Sequence, residues 1–542
     1  MRSVNDIDLT PLPEKIYFNV DREWSEEIIY FLLVDRFHDG HNRQTVPYKP
    51  NHYSFERLMS FCGGTIKGIT KNLDYIKGLG CTAIWISPVF ENNDNSYHGY
   101  AVQNFLEIDK RFGTKEDLTA LVALAHEKEM KVILDIVMNH TGDNWNYSEG
   151  YPDYTGQVYD FGSWKKSNRP IPSELRNPDS YKRMGIIQHW DDYPETREGD
   201  IFELKKLNLD ENELGWQVQE IMTKIYCYWI KELDLDGFRL DTVKHLAPKA
   251  VARFCTNVRT YAHGLGKKSF VIFGEAVGGE KLISKYLKEK KADDRVYQGL
   301  DTVLDFPLHF IIADIVRGEQ SIEVLQAMYL EREKKANKLD KDINSYITFL
   351  DNHDQISQSH KQRLSSAFSD AQVEASLALL YCLPGVPCIY YGTEQLMKGE
   401  GNHDVYLRQT LFDVRTNKDY LNRSAHVYKL LKELTDIRSK HKCISSGELF
   451  FNRFEIINKE DIEQESCIVF SRILADQEIV CLFNSSSDDL VKLNVQLYEI
   501  ATRTNEIKTY LFGARGKENI FIQDHKKCIS VELKPLQFVI LV

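Results

Sequence analysis

The segment Gly237-Phe238-Arg239-Leu240-Asp241 is a short apolar run that ends in a carboxylate. Three other segments have a similar form, because an apolar strand-like run leads directly into polar residues. They are residues 132–140, with Asp135, Asn139 and His140, residues 271–275, ending in Glu275, and residues 347–354, with Asp351, His353 and Asp354. In a barrel of parallel strands the C-terminal ends of all strands meet at one face, so these side chains would share one pocket. The pattern predicts an enzyme.

The surrounding sequence supports a barrel. Strand-like runs alternate with helical patterns from about residue 27 to residue 392, as in proteins with a parallel α/β sheet. Eight strands are predicted, which suggests a closed (β/α)8 barrel, at residues 28–34, 83–87, 131–135, 237–240, 269–273, 302–304, 346–350 and 386–390. A capping arrangement at Thr114 and apolar residues at helical spacing from Leu118 to Ala125 predict a helix, and a second helix is predicted over residues 221–233.

Two regions do not fit the barrel pattern. Residues 141–212, after the third strand, are rich in Gly, Pro, Asn and Asp and carry Trp145, Trp164 and Trp190 with several tyrosines. A long insertion usually serves function, although most of these rings are interpreted as an aromatic mini-core rather than as substrate contacts. Residues 439–542 show short strands separated by turns, at 467–471, 479–483, 490–493, 529–533 and 538–542. We therefore predict a barrel over 1–140 and 213–438, an inserted domain over 141–212 and a C-terminal β-sandwich over 439–542.

Composition limits the classes of partner. The chain has 542 residues, of which 27% are charged and 42% hydrophobic, with a formal net charge of -12. An acidic surface attracts neither nucleic acid nor an anionic membrane, and the longest uncharged run is interrupted by Pro384 and Pro387, so no membrane span is predicted. The start of the chain has no apolar signal segment, and its ten cysteines show no CxxC motif. Buried thiols in a reducing compartment, and hence a cytoplasmic location, are expected.

Two carboxylates on facing strand ends are what retaining glycoside hydrolysis requires, with a separation of about 5 to 5.5 Å. Asp241 and Glu275 follow consecutive predicted strands and can supply this pair. Arg239 lies two residues before Asp241, hence on the same face of its strand, and would keep that carboxylate ionised. Glu275 needs a raised pKa to hold a proton near neutral pH.

Taken together, the motifs resemble the α-amylase family of glycoside hydrolases. Its four signature segments are matched, in family order, by residues 135–140, 237–245, 273–275 and 349–354. The resemblance implies Asp241 as nucleophile, Glu275 as general acid and base, and Asp354 as the carboxylate that binds and distorts the sugar. It further implies a substrate-binding role for His98, Tyr100, His140, Arg239, Lys244, His245, His353, Asp404 and Arg408. An α-glucan or malto-oligosaccharide substrate follows from it, with no organic cofactor.

The subfamily stays open at this point. Lys244-His245 resembles the α-amylase form of the second segment, whereas Lys205-Lys206-Leu207-Asn208 resembles the neopullulanase and cyclomaltodextrinase form. The leading expectation is a retaining hydrolase of α-1,4-glucosidic bonds. Alternatives are a cyclomaltodextrinase or neopullulanase, or a transglycosylase such as trehalose synthase. A catalytically inactive glucan-binding relative would lack one of the three carboxylates, and all three are present.

Calcium is the one metal that the resemblance suggests. In the family an ion lies between barrel and insertion, where Asn139, the carbonyl of His245 and Asn208 would be its ligands here. Calcium takes six to eight oxygen ligands and gains from charged ones. Because Asn208 supplies a neutral oxygen, any ion is expected to bind loosely.

Overall fold

A computed structural model of the chain describes residues 1–50, 53–93, 96–288, 297–336, 342–355, 359–458, 466–498 and 507–542. The predicted barrel is confirmed: eight parallel strands form one sheet, in the spatial order β6-β5-β4-β3-β2-β1-β8-β7. A parallel bridge between Leu304 and Ile347 joins its two ends. The strands are β1 Ile29–Leu32, β2 Ala83–Ile86, β3 Lys131–Ile136, β4 Gly237–Leu240, β5 Val271–Gly274, β6 Thr302–Val303, β7 Ile347–Phe349 and β8 Val386–Tyr390.

Helices follow the barrel strands and connect each one to the next. The helix predicted at Thr114 is present, and its capping box pairs the Thr114 and Asp117 side chains with backbone N–H groups. The helix predicted over residues 221–233 is part of a longer one that starts at Glu213. The main helices are α1 Ile66–Lys71, α2 Leu73–Gly78, α3 Lys115–Glu127, α4 Glu213–Leu233, α5 Pro248–Gly264, α6 Glu280–Ile283, α7 Phe306–Arg317, α8 Ile322–Ala336, α9 Asp370–Cys382, α10 His426–Lys440 and α11 Lys442–Ser446. Single-turn helices lie at Val34–Phe37, Phe55–Leu58, Glu195–Glu198 and Leu364–Ala367.

Aromatic rings fill the barrel interior beneath the C-terminal strand ends. Phe31 and Trp85 stack with ring centroids 3.7 Å apart, and Phe273 meets Trp85 edge to face at 5.4 Å. Burying these large rings excludes water and contributes specific packing geometry. They form a rigid, apolar floor for polar groups at the strand ends.

The insertion has little regular structure and is held by aromatic packing. Its strand pairs are His140–Thr141 with Lys205–Lys206 and Trp145–Tyr147 with Phe161–Trp164. Trp145 is fully buried and packs against Tyr147, Phe161 and Tyr181. The mini-core interpretation is therefore confirmed for Trp145. Trp190 differs, because it lies against His245 of the barrel at 5.8 Å.

The C-terminal region forms two antiparallel sheets with buried apolar faces, as predicted. The five predicted strands are present, and five further strands beside them were not predicted. The six-stranded sheet contains β9 Glu448–Phe451, β11 Cys467–Leu474, β12 Gln477–Asn484, β14 Ile507–Phe512, β15 Lys517–Asn519 and β18 Phe538–Leu541, and the four-stranded sheet contains β10 Phe454–Ile456, β13 Val491–Gln496, β16 Phe521–Gln523 and β17 Lys526–Leu533. Arg472 joins this module to the barrel, since it donates hydrogen bonds to the carbonyls of Gly447 and Cys382.

Two further sequence predictions concern residue environments. All ten cysteines are free and buried, as expected. Within the part of the chain that the structure describes, no helix is long and apolar enough to cross a membrane.

Candidate active site

Arg239 lies at the centre of the site. In the register of the sheet it is paired with Asp135 of β3 and Phe273 of β5, so its side chain shares their face and points into the barrel. Its guanidinium is fully buried. It lies 2.9 Å from Asp135 Oδ1, 2.5 Å from Asp241 Oδ1 and 2.8 Å from Glu275 Oε1. One cation therefore faces three carboxylates that come from three neighbouring strands.

The backbone places Asp241 and Glu275 at the same level. Each follows one member of the cross-strand pair Leu240 and Gly274. A larger residue at Gly274 would be crowded, because a Cβ atom would lie 2.6 Å from the Leu300 side chain and 2.7 Å from that of Val243. The chain then turns sharply at Thr242, whose φ is 49°, and the Thr242 N–H donates to Glu275 Oε2 at 3.3 Å. This turn ties the end of β4 to the end of β5.

Burial and Arg239 have opposite effects on the pKa values of Asp241 and Glu275. Burial raises the pKa of both Asp241 and Glu275, while Arg239 acts in the opposite direction on each. Two interacting carboxyls titrate as a pair. If the pair shares one proton and Glu275 holds it, Asp241 is ionised beside Arg239, and the pair then offers one acid and one carboxylate.

Asp354 follows β7 and faces the same pocket. Asp354 is half-buried, but its Oδ1 atom is shielded from solvent and has no hydrogen-bond partner among the described residues. Burial, followed by the negative charge of Asp404, raises the pKa of Asp354 to about 7. A buried oxygen without a partner is costly, and a sugar hydroxyl would satisfy it.

Tyr100 and His353 connect the carboxylates to the pocket wall. The Tyr100 hydroxyl donates to Asp135 Oδ2 at 2.8 Å and lies 2.9 Å from His353 Nε2. The two rings stack with centroids 5.5 Å apart. The His98 ring also stacks with the Tyr100 ring, with centroids 5.7 Å apart. Burial lowers the pKa of His98 to about 3. Neutral histidines next to a tyrosine face suit a sugar, which offers hydroxyls and an apolar ring face.

Asp404 and Arg408 lie where the loop after β8 meets the loop after β7. Arg408 Nε donates to the carbonyl of His353 at 2.8 Å. Asp404 accepts from the Gln355 N–H at 3.0 Å and pairs with Lys361 at 3.4 Å. Both residues therefore contact the segment that carries Asp354, and their expected role in substrate binding stays a prediction.

Lys244 and His245 lie on the opposite side, facing the insertion. Lys244 forms an ion pair with Asp191, and His245 Nδ1 donates to the carbonyl of Thr196 at 2.7 Å. The side chain of Asp191 is 87% exposed. This part of the cleft is thus built jointly by barrel and insertion.

The residues expected to bind calcium do not fit that ion. Asn139 and the His245 carbonyl come together, but the Lys206 ammonium lies between them and donates to Asn139 Oδ1 and, at 2.7 Å, to the His245 carbonyl. Asn208 is turned away and donates to the carbonyl of Asp179 at 3.4 Å. Among the described residues, no group of three or more His, Cys, Asp or Glu side chains could hold a metal ion.

Several residues of the site were not predicted. The sequence places Asp135 at a strand end without indicating a role for it. Its position beside Arg239 in the register of β3 and β4 identifies it as part of the site. Trp85 donates to Asp135 Oδ2 at 3.1 Å, and Tyr97 accepts from Arg408 at 3.3 Å. No feature of the sequence indicated that Lys361 and Lys206 belong to the site.

Comparisons with known proteins agree with this geometry. Residues 31–426 match the family model described as alpha amylase, catalytic domain. The chain is 31% identical, over 475 residues, to an alpha-amylase of Streptomyces lividans, and 25% identical, over 478 residues, to a cyclomaltodextrin glucanotransferase of Klebsiella oxytoca. A solved structure of an Anoxybacillus alpha-amylase superposes with a TM-score of 0.72 at 25% identity, covering 96% of this chain and 99% of that one.

The fold and the carboxylate cluster define a barrel glycoside hydrolase. The chain belongs to the alpha-amylase family. The matches cover 75% of this chain and 49% of the Streptomyces relative, and 81% of this chain and 68% of the Klebsiella one. The chain thus spans about half the length of the first of these relatives.

Proposed function

We propose that the protein is a retaining hydrolase of α-1,4-glucosidic bonds in starch-like glucans and malto-oligosaccharides. The observation that carries this proposal is the contact of Asp241 and Glu275 with a single buried guanidinium, that of Arg239. It holds the two carboxyl groups in one small space, as is required of a nucleophile and a proton donor that act on the same bond.

In this proposal Asp241 attacks the anomeric carbon while Glu275 gives its proton to the departing oxygen. The bond to the leaving sugar breaks and a glycosyl ester of Asp241 forms. Glu275, now a carboxylate, takes a proton from water, which displaces Asp241 and restores the starting state. Asp354 and His353 bind hydroxyls of the sugar at the reacting centre, and Tyr100 stacks against its ring.

A second candidate function is transfer to a sugar acceptor, or hydrolysis of cyclic dextrins. It is supported by the Lys205-Lys206-Leu207-Asn208 segment and by the similarity to a relative named cyclomaltodextrin glucanotransferase. An acceptor sugar would compete with water at the side of the cleft where Lys244 of the barrel pairs with Asp191 of the insertion.

A product profile on starch, maltoheptaose, cyclodextrin and pullulan separates these functions. For internal hydrolysis, iodine staining of amylose collapses before much reducing sugar is released, because a few internal cuts shorten the chains. Glucose or maltose released from the start with staining preserved, or faster cleavage of cyclodextrin, would favour the second candidate. The variant Asp241→Asn is the control for contaminating activity.

We also propose a reducing, cytoplasmic location, supported by the ten free, buried cysteines. Fractionation of the native host, followed by detection of the protein with an antibody, tests this. Recovery from the culture medium would contradict it.

A further inference from the structure

Lys206 occupies an unusual position for a charged residue. Its side chain is buried at the junction of barrel and insertion, with 3% of the residue exposed. The backbone holds it there: Lys206 pairs with His140 in a two-stranded ribbon, and the Leu207 N–H donates to the Asn139 carbonyl at 3.0 Å. The Lys206 ammonium then donates to Asn139 Oδ1 and the His245 carbonyl.

We propose that the Lys206 ammonium takes the place of a metal ion in this protein, so that an internal cation fastens the insertion to the barrel and positions the active site without calcium. The stability part of this proposal is independent of the proposed function. Only its activity readout rests on glucan hydrolysis.

One hydrogen-bonded route leads from Lys206 to Tyr100. Because Asn139 Oδ1 accepts from Lys206, the Asn139 amide group faces His140 and donates to its Nδ1 at 3.2 Å. His140 Nδ1 therefore carries no proton, and His140 Nε2 donates to the Tyr100 carbonyl at 3.1 Å. The ammonium thereby sets the orientation of Asn139 and the tautomer of His140.

A second route leads to Asp241. The Lys206 ammonium fixes the carbonyl of His245, which ends the single-turn helix Val243–His245. The start of that helix is bound to the next strand, because the Val243 N–H donates to the Glu275 carbonyl at 2.9 Å. Lys206 thus acts on the segment that directly follows Asp241, and it is a positioning residue.

The surroundings leave little for a metal ion to bind. The nearest buried carboxylate, Asp200, already accepts from the Lys206 N–H at 2.8 Å and the Tyr147 hydroxyl at 2.7 Å. A divalent cation between Asn139 and His245 would meet the ammonium at contact distance, where like charges repel strongly in a buried site.

The first test uses the native full-length protein. We expect metal analysis after gel filtration to find less than about 0.1 calcium per chain, and melting curves in excess chelator and in millimolar calcium to coincide. A ligand bound to the folded state would raise the melting temperature by mass action. Stoichiometric calcium, or a melting temperature that chelator lowers and calcium restores, would overturn the proposal. This test does not depend on any catalytic activity.

The second test compares Lys206→Met with Lys182→Met, a control that lines the same cavity of about 210 Å³ and pairs with Asp210 at the surface. We expect Lys206→Met to lose at least about tenfold in kcat on maltoheptaose at temperatures well below its melting transition, while Lys182→Met retains native kcat. In Lys206→Ala, methylammonium should enter the enlarged cavity and restore part of kcat, beyond the effect of equal sodium chloride. Native kcat in Lys206→Met, or a folded Lys206→Ala that does not respond to methylammonium, would contradict the positioning role.

Discussion

Arg239 Nη2 lies 2.8 Å from Glu275 Oε1, so the proposed proton donor faces a buried cation. This contact opposes the rise in the pKa of Glu275 that burial causes. Substrate binding excludes water from the pocket and strengthens both effects. The pKa of Glu275 therefore depends on the balance between burial, which raises it, and the charge of Arg239, which lowers it.

Glu275→Gln keeps the shape of the side chain and removes the transferable proton. We expect hydrolysis of starch to fall by at least about a hundredfold, the usual range for loss of a general acid. Glycosides with a very acidic leaving group should lose less, because their departure needs no protonation. Glu211→Gln, at an exposed pair with Lys249, is the control and should be unaffected. Near-native turnover of starch by Glu275→Gln would show that the acid lies elsewhere.

The stereochemistry of the first product tests Asp241. A covalent ester on this residue requires two inversions, so the released sugar should have the α configuration. Proton NMR of fresh hydrolysate, recorded before mutarotation, measures this directly. If the β-anomer comes first, water attacks the substrate directly and Asp241 is not the nucleophile.

Tyr100→Phe removes the hydroxyl that joins Asp135 to His353 and keeps the ring. Hydrogen bonds to charged groups contribute about 1.5 to 3 kcal/mol, so we expect kcat/KM on maltoheptaose to fall by about ten- to a hundredfold. The matched control is Tyr151→Phe, whose hydroxyl binds Asp143 at the exposed edge of the insertion. Equal effects of the two substitutions would mean that the Tyr100 hydroxyl has no special part in the site.

The pH dependence of stability follows from Asp354. Its pKa is about 7 in the folded protein and about 3.9 in an unfolded chain. The folded state thus binds the proton more tightly, and this contribution to the free energy of unfolding is present below pH 4 and is lost as pH rises through 7. Asp354→Asn cannot ionise and should melt a few degrees above the native protein at pH 8, with little gain at pH 4.5.

The control for this comparison is Asp436→Asn, at an exposed helical pair with Lys432, which should not alter the pH profile. Activity of Asp354→Asn should fall at all pH values, because the amide cannot accept the same hydrogen bonds from sugar hydroxyls. A native profile of melting temperature against pH in Asp354→Asn would show that this carboxyl ionises normally.

Much of the fold could be predicted because local patterns of apolar and polar residues indicate where its strands and helices lie. Each barrel strand is a short apolar run, and the observed limits differ from the predicted ones by only one or two residues. Two of the missed strands, Lys517–Asn519 and Phe521–Gln523, have only three residues each. Cross-strand pairing rather than local sequence stabilises strands as short as these. Asp241 and Glu275 could be identified because each directly follows a strand. Asp354 lies further beyond the end of β7, and its role followed from the resemblance of residues 349–354 to a family segment.

The sequence by itself determined the order of strands and helices, the three carboxylates at strand ends and their family. Only the tertiary structure decided what surrounds them. Asp135 joins the site because β3 and β4 align it with Arg239, and register is not visible in either strand alone. Lys206 lies at the position expected for calcium because its ammonium reaches Asn139, 67 residues away along the chain. A long side chain can enter a site from any neighbouring segment, so its contacts depend on the packed structure rather than on local sequence.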